Sequence, residues 1–314
     1  MTELHGVLPV LSTPFTESDD IDRPALIKET EWLLAAGVDG LVIAMVSEIL
    51  RLDPGERMAL VETTIAAVAG RRPVVVSVGA ESTAQSVRLA LHAVDAGAAA
   101  VMANPPVSTR PTEAELRKHF ETVADATGPV PLIVQDASGY VGQAVPLGLM
   151  TSLLERFGER KIRFKPEAEP LGPQLSALIG ATGGRARVFE GSGGRSLLDS
   201  HRRGVIGTMP GSDLAWAMVS LWRALEEGDS SRAYGIQAAL APILTFVSSL
   251  DSYVRVEKHL LRIQGVFDNE RQRGPTDFIL DGQSCRELAI LLGRLVTACG
   301  RDAAISTRDL QQVA

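Results

Sequence analysis

Eight short apolar runs, each followed by an amphipathic stretch, fill most of this 314-residue chain. Short runs that are apolar almost throughout are typical of parallel strands covered by helices on both faces. The predicted strands lie at 6–11, 40–44, 73–78, 98–103, 131–135, 187–191 and 204–209, and one more strand ends at Lys165. Eight strand–helix repeats in succession predict an α/β fold, a (β/α)8 TIM barrel.

A doubly wound open sheet is the main alternative, because it also alternates strands with helices. That fold usually carries a Gly-x-Gly-x-x-Gly turn after its first strand, and no such turn follows residue 11 here. The barrel is therefore favoured.

The pattern changes after about residue 225, where strands give way to helices predicted over 230–250, 253–264 and 284–299. We therefore expect a barrel over 1–225 and a C-terminal helical extension over 226–314, which fits the typical barrel length of about 250 residues. Two apolar stripes on these helices are typical of core, with an oligomer interface as the alternative. They comprise Leu240, Ile243, Phe246 and Val247, and Leu288, Leu291, Leu292 and Val296. The stretch 267–282 is predicted to be an exposed loop.

The net charge of −7 and the absence of Lys/Arg clusters argue against a nucleic-acid partner. No apolar run reaches the roughly 18 residues that a membrane span requires. The first residues, Met1 to His5, lack a basic segment followed by an apolar one, so we expect no signal peptide and a cytoplasmic protein. Cys285 and Cys299 fall on one predicted helix about 21 Å apart, too far for a disulfide. The five histidines show no metal-ligand spacing, so neither a metal nor a cofactor is predicted.

Lys165 carries the strongest chemical signal in the chain. It ends a predicted strand, in the stretch Phe164-Lys165-Pro166-Glu167, and strand ends form the chemical face of β/α barrels. An amine held there, partly removed from water, gives up its proton more easily than a free lysine. A neutral amine can attack a ketone and form a Schiff base. A plain surface lysine is the alternative.

Several motifs, in order and at the right spacing, resemble those of the dihydrodipicolinate synthase / N-acetylneuraminate lyase family over nearly the whole chain. The matching segments are Ser12-Thr13-Pro14-Phe15, Ala36-Gly37-Val38-Asp39-Gly40-Leu41, Ser47-Glu48, Leu52-x-x-x-Glu56-Arg57, Phe164-Lys165-x-Glu167-Ala168 and Gly204-x-x-Gly207.

The resemblance implies a barrel with a helical extension, assembled as a homo-oligomer, either a tetramer or a dimer. It also implies class I aldolase chemistry, in which Lys165 condenses with a 2-oxo acid such as pyruvate. Members of the family form or cleave C–C bonds, or eliminate water or ammonia from 2-keto-3-deoxy sugar acids.

The chain departs from the family pattern around the lysine. The family's Gly-Thr-Thr-Gly-Glu stands here as Ala44-Met45-Val46-Ser47-Glu48, without either threonine. The tyrosine of strand five aligns with Gln135, the second tyrosine of the relay falls near Val107, and the arginine that binds dicarboxylic partners aligns near Tyr140. A glutamine amide can orient a substrate but cannot shuttle a proton as a tyrosine does. Dihydrodipicolinate synthesis is therefore disfavoured.

The replacement groups are expected among polar residues at strand ends. The candidates for proton transfer are Glu48, Asp136, Glu167, Ser192 and Thr208, with Glu48 favoured in a supporting role. Glu167 is expected on the same strand face as Lys165, where it pairs with the amine or accepts its proton, with a solvated loop carboxylate as the alternative. The substrate carboxylate is expected on the backbone N–H groups of Val46 and Ser47 and on the Ser47 hydroxyl. The remaining predicted substrate-binding residues are Met45, Val107, Tyr140, Glu167, Ser192 and Met209.

These observations favour a Schiff-base lyase, either an aldolase or a dehydratase, with Lys165 as nucleophile and Gln135 orienting the substrate. A non-catalytic barrel that binds a small carboxylic acid is the second hypothesis, because three hydroxyl positions are lost. An enzyme in which Lys165 acts as a general base without an imine is the third. The residues do not distinguish aldol cleavage from dehydration or deamination, and they do not name the 2-oxo acid.

Overall fold

The computed structural model describes residues 4–300. Within them, eight strands alternate with eight helices, and three further helices follow. The strands are β1 (Gly6–Val7), β2 (Leu41–Ile43), β3 (Val74–Ser77), β4 (Ala100–Ala103), β5 (Leu132–Asp136), β6 (Ile162–Pro166), β7 (Phe189–Glu190) and β8 (Gly207–Thr208). The helices are α1 (Arg23–Ala35), α2 (Pro54–Val68), α3 (Thr83–Ala96), α4 (Glu113–Ala126), α5 (Leu147–Phe157), α6 (Leu171–Ala181), α7 (Leu197–Arg202), α8 (Ala215–Glu226), α9 (Ser230–Leu244), α10 (Leu250–Ile263) and α11 (Gly282–Cys299).

One compact unit contains residues 4–5 and 73–209, and therefore β3 to β8. Its strands pair in parallel and in sequence order from β3 to β6, with Val75 opposite Ala100, Val101 opposite Leu132, and Gln135 opposite Lys165. A parallel bridge from Phe164 to Val188 links β6 to β7, and Glu190 of β7 lies opposite Thr208 of β8. Every residue of these strands is buried, as expected for a parallel sheet with both faces covered.

The other compact unit contains residues 6–72 and 210–300 of the described chain. In it, Val10 forms parallel bridges to Val42 and to Gly211. Helix α9 packs against α8 and α11. The predicted stripe on α11 is buried throughout. The division into a barrel over 1–225 and an extension over 226–314 stays a prediction.

Local sequence signals explain several helix boundaries. Asp53 caps α2 by accepting from the Glu56 N–H, and the Glu56 carboxylate accepts from the Asp53 N–H in return. Thr112, with Glu115 three residues on, is a sequence pattern that predicts a helix start, and the Thr112 hydroxyl does cap α4 by accepting from the Glu115 N–H. Gly97 ends α3 in the left-handed region, with φ of 103°.

Several predicted boundaries are wrong; strand β8, for example, begins at Gly207 rather than at residue 204. Strand β1 ends at Val7 rather than at residue 11, although Val10 still forms isolated bridges. The sequence predicts a short helix over about 194–203, but helix α7 begins only at Leu197, because the preceding turn carries Gly193 and Gly194 in the left-handed region. Helix α9 ends at Leu244, two residues after an internal proline, which leaves Phe246 and Val247 of the predicted stripe outside it.

The stretch 267–282 has no regular structure before α11, as predicted, but it is not simply exposed. Phe267 and Leu280 are buried, and the Arg273 guanidinium bonds to Glu56 Oε2 at 2.7 Å. Cys285 and Cys299 lie on the continuous helix α11, and they are not joined in a disulfide.

Candidate active site

Lys165 lies next to last on β6, and only 4 % of it is exposed. Its strand neighbour on β5 is Gln135, which is 2 % exposed. The ladder continues past β6, since the Glu167 N–H donates to the Asp136 carbonyl at 2.9 Å. Lys165 and Glu167 therefore share one face of an extended segment, as alternation along a strand predicts.

Lys165, Glu167 and Gln135 form one hydrogen-bonded group, the lysine cluster. The Lys165 Nζ donates to Glu167 Oε1, and both side chains are almost completely buried. The Gln135 Nε2 donates to the same carboxylate oxygen at 2.5 Å. The alternative of a solvated loop carboxylate at Glu167 is therefore wrong. An amine in contact with a buried carboxylate has a proton acceptor at hand, which a nucleophilic lysine requires.

The lysine cluster leaves no room for a side chain at position 191. A Cβ atom on Gly191 would lie 2.5 Å from Glu167 Cγ and 3.3 Å from Lys165 Cγ. The backbone after β7 therefore packs directly on both side chains.

Gln135 has one amide atom in use and one without a partner. Its Nε2 binds Glu167, whereas its buried Oε1 has no hydrogen-bond partner within residues 4–300. A primary amide is neither an acid nor a base near neutral pH. Gln135 therefore orients Glu167 rather than replacing the chemistry of a tyrosine.

A second polar group lies at the ends of β7 and β8, and we call it the hydroxyl network. Glu190, which is fully buried, accepts from the Ser192 N–H at 2.8 Å and from the Ser192 hydroxyl through Oε1. Its Oε2 accepts from the Thr208 hydroxyl at 2.6 Å. Ser192 and Thr208 were predicted site residues, but Glu190 was missed. Its burial could not be read from sequence, where it ends a strand beside a flexible glycine stretch.

Three other predicted substrate-binding residues of this unit differ from one another in burial and in hydrogen bonding. Tyr140 is half-buried, and burial, with a further contribution from Glu167, raises the pKa of its phenol to about 12, so it stays an O–H donor at neutral pH. Val107 is half-buried, and its N–H donates to Glu81. Met209 is buried, and its N–H donates to the Glu190 carbonyl at 3.1 Å.

Asp136 is bonded to the loop that follows β5. Its carboxylate accepts from the Ser138 N–H at 3.0 Å and from the Val145 N–H at 2.9 Å. Both bonds hold the segment after β5. The candidate role of Asp136 in proton transfer stays a prediction.

The turn 44–48 belongs to the other compact unit. Ser47 is fully buried, and its hydroxyl donates to the Leu11 carbonyl and accepts from the Ala44 N–H. The Ser47 N–H donates to the Ala44 carbonyl at 2.9 Å. Both donors of Ser47 are thus already bonded to backbone carbonyls, one to Ala44 in the turn and the other to Leu11 outside it, and the expectation that they bind a substrate carboxylate is wrong. The roles of Met45, which is buried, and of Val46, which is half-buried, stay predictions.

Glu48 is held in a buried ion pair, and the supporting role favoured from the sequence stays a prediction. Its Oε1 accepts from the Lys258 Nζ, and both side chains are at most 1 % exposed. Its Oε2 accepts from the Arg273 N–H at 2.9 Å. Lys258 also lies over the Phe15 ring, 4.5 Å from the centroid. This ion pair joins helix α10 to the turn after β2.

Residues 4–300 contain no group of three or more His, Cys, Asp or Glu side chains arranged to hold a metal ion. In the same part of the chain, every helix is too short or too polar to span a membrane.

A buried amine at the carboxyl end of the sixth parallel strand of a β/α fold, in contact with a carboxylate, defines a lyase of the Schiff-base class. The profile of the Dihydrodipicolinate synthetase family matches residues 3–283, and the chain belongs to that family.

Its relatives include the L-2-keto-3-deoxyarabonate dehydratase of Azospirillum brasilense, 31 % identical over 86 % of this chain and 88 % of that protein. The 4-hydroxy-tetrahydrodipicolinate synthase of Methanococcoides burtonii is 30 % identical over 76 % of this chain and 81 % of that protein.

Among solved structures, YagE, a prophage protein of the dihydrodipicolinic acid synthase family from E. coli K12 in complex with pyruvate, is 25 % identical. The two structures superpose with a TM-score of 0.85, and the match covers 94 % of this chain and 99 % of YagE. The predicted family and the predicted (β/α)8 barrel are both confirmed.

Proposed function

We propose that this protein is a Schiff-base-forming lyase of 2-oxo acids, a dehydratase or aldolase whose substrate is a 2-keto-3-deoxy sugar acid. The observation that carries the proposal is the contact of the buried Lys165 amine with the Glu167 carboxylate. The likeness to an L-2-keto-3-deoxyarabonate dehydratase supports this substrate class. Tyr140, where dicarboxylate-binding members carry arginine, favours a hydroxylated substrate over a second carboxylate.

Lys165 acts as the nucleophile, and Glu167 takes the proton that the amine must lose. The neutral amine adds to C2 of the 2-oxo acid. Glu167 then returns its proton to the carbinolamine oxygen, which leaves as water, and this gives the iminium and restores the Glu167 carboxylate. Glu167 lies in hydrogen-bond contact with the amine, which meets the geometric requirement for a general base.

The same carboxylate then serves C3. An iminium at C2 withdraws electrons and makes the C3–H bond acidic, so that Glu167 can take this proton and leave an enamine. Gln135 donates to Glu167 Oε1 and holds the carboxylate in a fixed orientation during both transfers. In a dehydration, the enamine expels the C4 oxygen as water. In an aldol cleavage, the C3–C4 bond breaks to give the enamine.

Borohydride trapping tests the proposal. Reduction in the presence of pyruvate should add to Lys165 the mass of pyruvic acid less one oxygen, as seen by peptide mass spectrometry. Lys165→Met should abolish the adduct. Lys161→Met is the matched control, since Lys161 lies one residue before the start of the same strand and donates to the Thr127 hydroxyl at 2.7 Å. If no 2-oxo acid gives an adduct with the native protein, it is not a Schiff-base enzyme.

We further propose that the protein works as a homo-oligomer, a tetramer or a dimer, in the cytoplasm. Large apolar side chains at the surface support this assembly, among them Ile279 at 88 % and Ile290 at 58 % exposure. Light scattering coupled to gel filtration measures the mass directly.

A further inference from the structure

Glu190 is a buried carboxylate held by hydroxyl and backbone donors. It is fully buried at the end of β7. Its partners are two hydroxyls and one backbone N–H, from Ser192 and Thr208. Removing a carboxyl group from water is costly unless hydrogen bonds satisfy it, and buried carboxyl groups of this kind are concentrated at functional sites.

The hydroxyl network lies beside the lysine cluster. Gly191, between Glu190 and Ser192 in sequence, has its backbone against the side chains of Lys165 and Glu167. Both carboxylates interact electrostatically with Tyr140, since Glu167 and Glu190 each raise the pKa of its phenol. Ser192 is the half-buried member at this edge, whereas Glu190 behind it is closed off from solvent.

The proposed reaction needs proton transfer at two places. One proton leaves or joins C3, and a second moves at the oxygen on C4, whether that oxygen departs as water or becomes a carbonyl. Glu167 transfers the protons at the imine nitrogen and at C3, and the Gln135 amide cannot act as an acid or a base. A second group that carries a proton is therefore required beside Lys165.

We propose that Ser192 is the catalytic residue at the C4 oxygen and that Glu190 is the positioning residue that orients its hydroxyl and exchanges its proton. This inference rests on the proposed function and extends it. The Ser192 hydroxyl donates to Glu190 and accepts from the Ser196 N–H at 2.9 Å, so one lone pair is left for the substrate. Thr208, on the other carboxylate oxygen, keeps Glu190 turned toward Ser192.

The proton balance is simple in both directions. In cleavage, the C4 hydroxyl gives its proton to Ser192 Oγ while Ser192 passes its own to Glu190, and the C3–C4 bond breaks to give an aldehyde and the enamine. In dehydration, protonated Glu190 returns its proton through Ser192 to the C4 oxygen. The C4–O bond then breaks and water leaves.

The experiment separates the two proton transfers. Glu190→Gln, Ser192→Ala and the double variant are each assayed for deuterium exchange at C3 of pyruvate in D2O, by NMR. They are also assayed for turnover of a panel of 2-keto-3-deoxy sugar acids. We expect exchange within about threefold of native and turnover lower by about 10²- to 10⁴-fold, the usual loss for a positioned acid–base group. The double variant should be no slower than the slower single variant, because the two residues act as a unit.

Structural damage would give a different result. It would lower exchange and turnover in parallel, and that outcome overturns the relay, as does normal turnover in Ser192→Ala. Thr208→Val, which removes one donor to Glu190, should slow turnover but not exchange. Thr127→Val is its matched control, because this buried threonine bonds only at the end of α4 and beside Lys161, and should leave both rates unchanged.

A failure of the proposed Schiff-base function itself would give a third pattern of results. A native protein that shows no borohydride adduct and turns over no member of the panel overturns the proposed function and the relay together. An adduct and exchange that persist in every variant, with unchanged turnover, overturn the relay alone. Circular dichroism and the melting temperature identify any variant that fails to fold, and Ser192→Ala then decides, because Ser192 is half-buried.

Discussion

Replacing Glu29 with glutamine should make the protein less sensitive to alkali. Glu29 lies on α1 and is fully buried; its Oε1 accepts from the Ser12 N–H at 2.9 Å, and its Oε2 has no partner within residues 4–300. Burial raises the pKa of its carboxyl from 4.5 to about 8. Two neighbouring acids of the same unit, Asp213 and Glu257, also have raised pKa values, about 7 for Asp213.

The sign of the effect follows from proton linkage. Because the folded state holds the Glu29 proton more tightly than the unfolded chain, stability is highest below the unfolded pKa of 4.5 and falls as pH rises toward about 8. One pKa unit corresponds to about 1.4 kcal/mol, so Glu29 weakens folding by about 3.5 kcal/mol between pH 5 and pH 8. At about 2–4 °C per kcal/mol, this equals roughly 10 °C in melting temperature.

The assay compares the melting temperature at pH 5 and pH 8 for the native protein and for Glu29→Gln. The fall on going to pH 8 should be smaller in the variant by roughly 10 °C. Glu31→Gln is the control, since Glu31 lies on the same helix but is exposed and paired with Arg71, which lowers the pKa of its carboxyl. Equal falls in the native protein and Glu29→Gln would show that Glu29 does not hold its proton in the folded state.

Two further substitutions test contacts elsewhere. Lys258→Met leaves Glu48 buried without its cation and should destabilise the fold by about 3–5 kcal/mol in urea unfolding, and adding Glu48→Gln should recover most of the loss. No recovery would mean that the packing of Lys258, not its charge, matters. Gly191→Ala places a Cβ 2.5 Å from Glu167 Cγ and should lower turnover by about 10²-fold, whereas Gly148→Ala, which has open space around it, should not. Normal turnover in Gly191→Ala would show that Glu167 can shift without cost.

The order of elements was predictable because periodicity is a local property of the chain. Strand β6 and its lysine followed from an apolar run and the residue that ends it, and the cap of α4 followed from Thr112 three residues before Glu115. The ends of α7 and α9 were not predictable, because they depend on how Gly193, Gly194 and Pro242 are accommodated after packing.

The site was predictable only in part, because a hydrogen bond between distant segments leaves no local pattern. The contact of Lys165 with Glu167 could be anticipated, since the two residues are two positions apart on one strand. The bond from the Ser47 hydroxyl to the Leu11 carbonyl could not be anticipated, because it depends on where Leu11 lies in the folded chain. Glutamate is a residue type usually found at the surface, and only the tertiary structure shows that Glu190 and Glu29 are buried.

The close packing at Gly191 fixes where the reaction can take place. Glu167 is held by two donors on one side and by bare backbone on the other, so its carboxylate cannot swing toward different substrate atoms. A single immobile base that serves both the amine and C3 requires the covalent intermediate, tethered at Lys165, to rotate instead. The length and stiffness of the tether between the lysine backbone and C2 would then determine which carbon loses its proton, and so the regiochemistry of the enzyme.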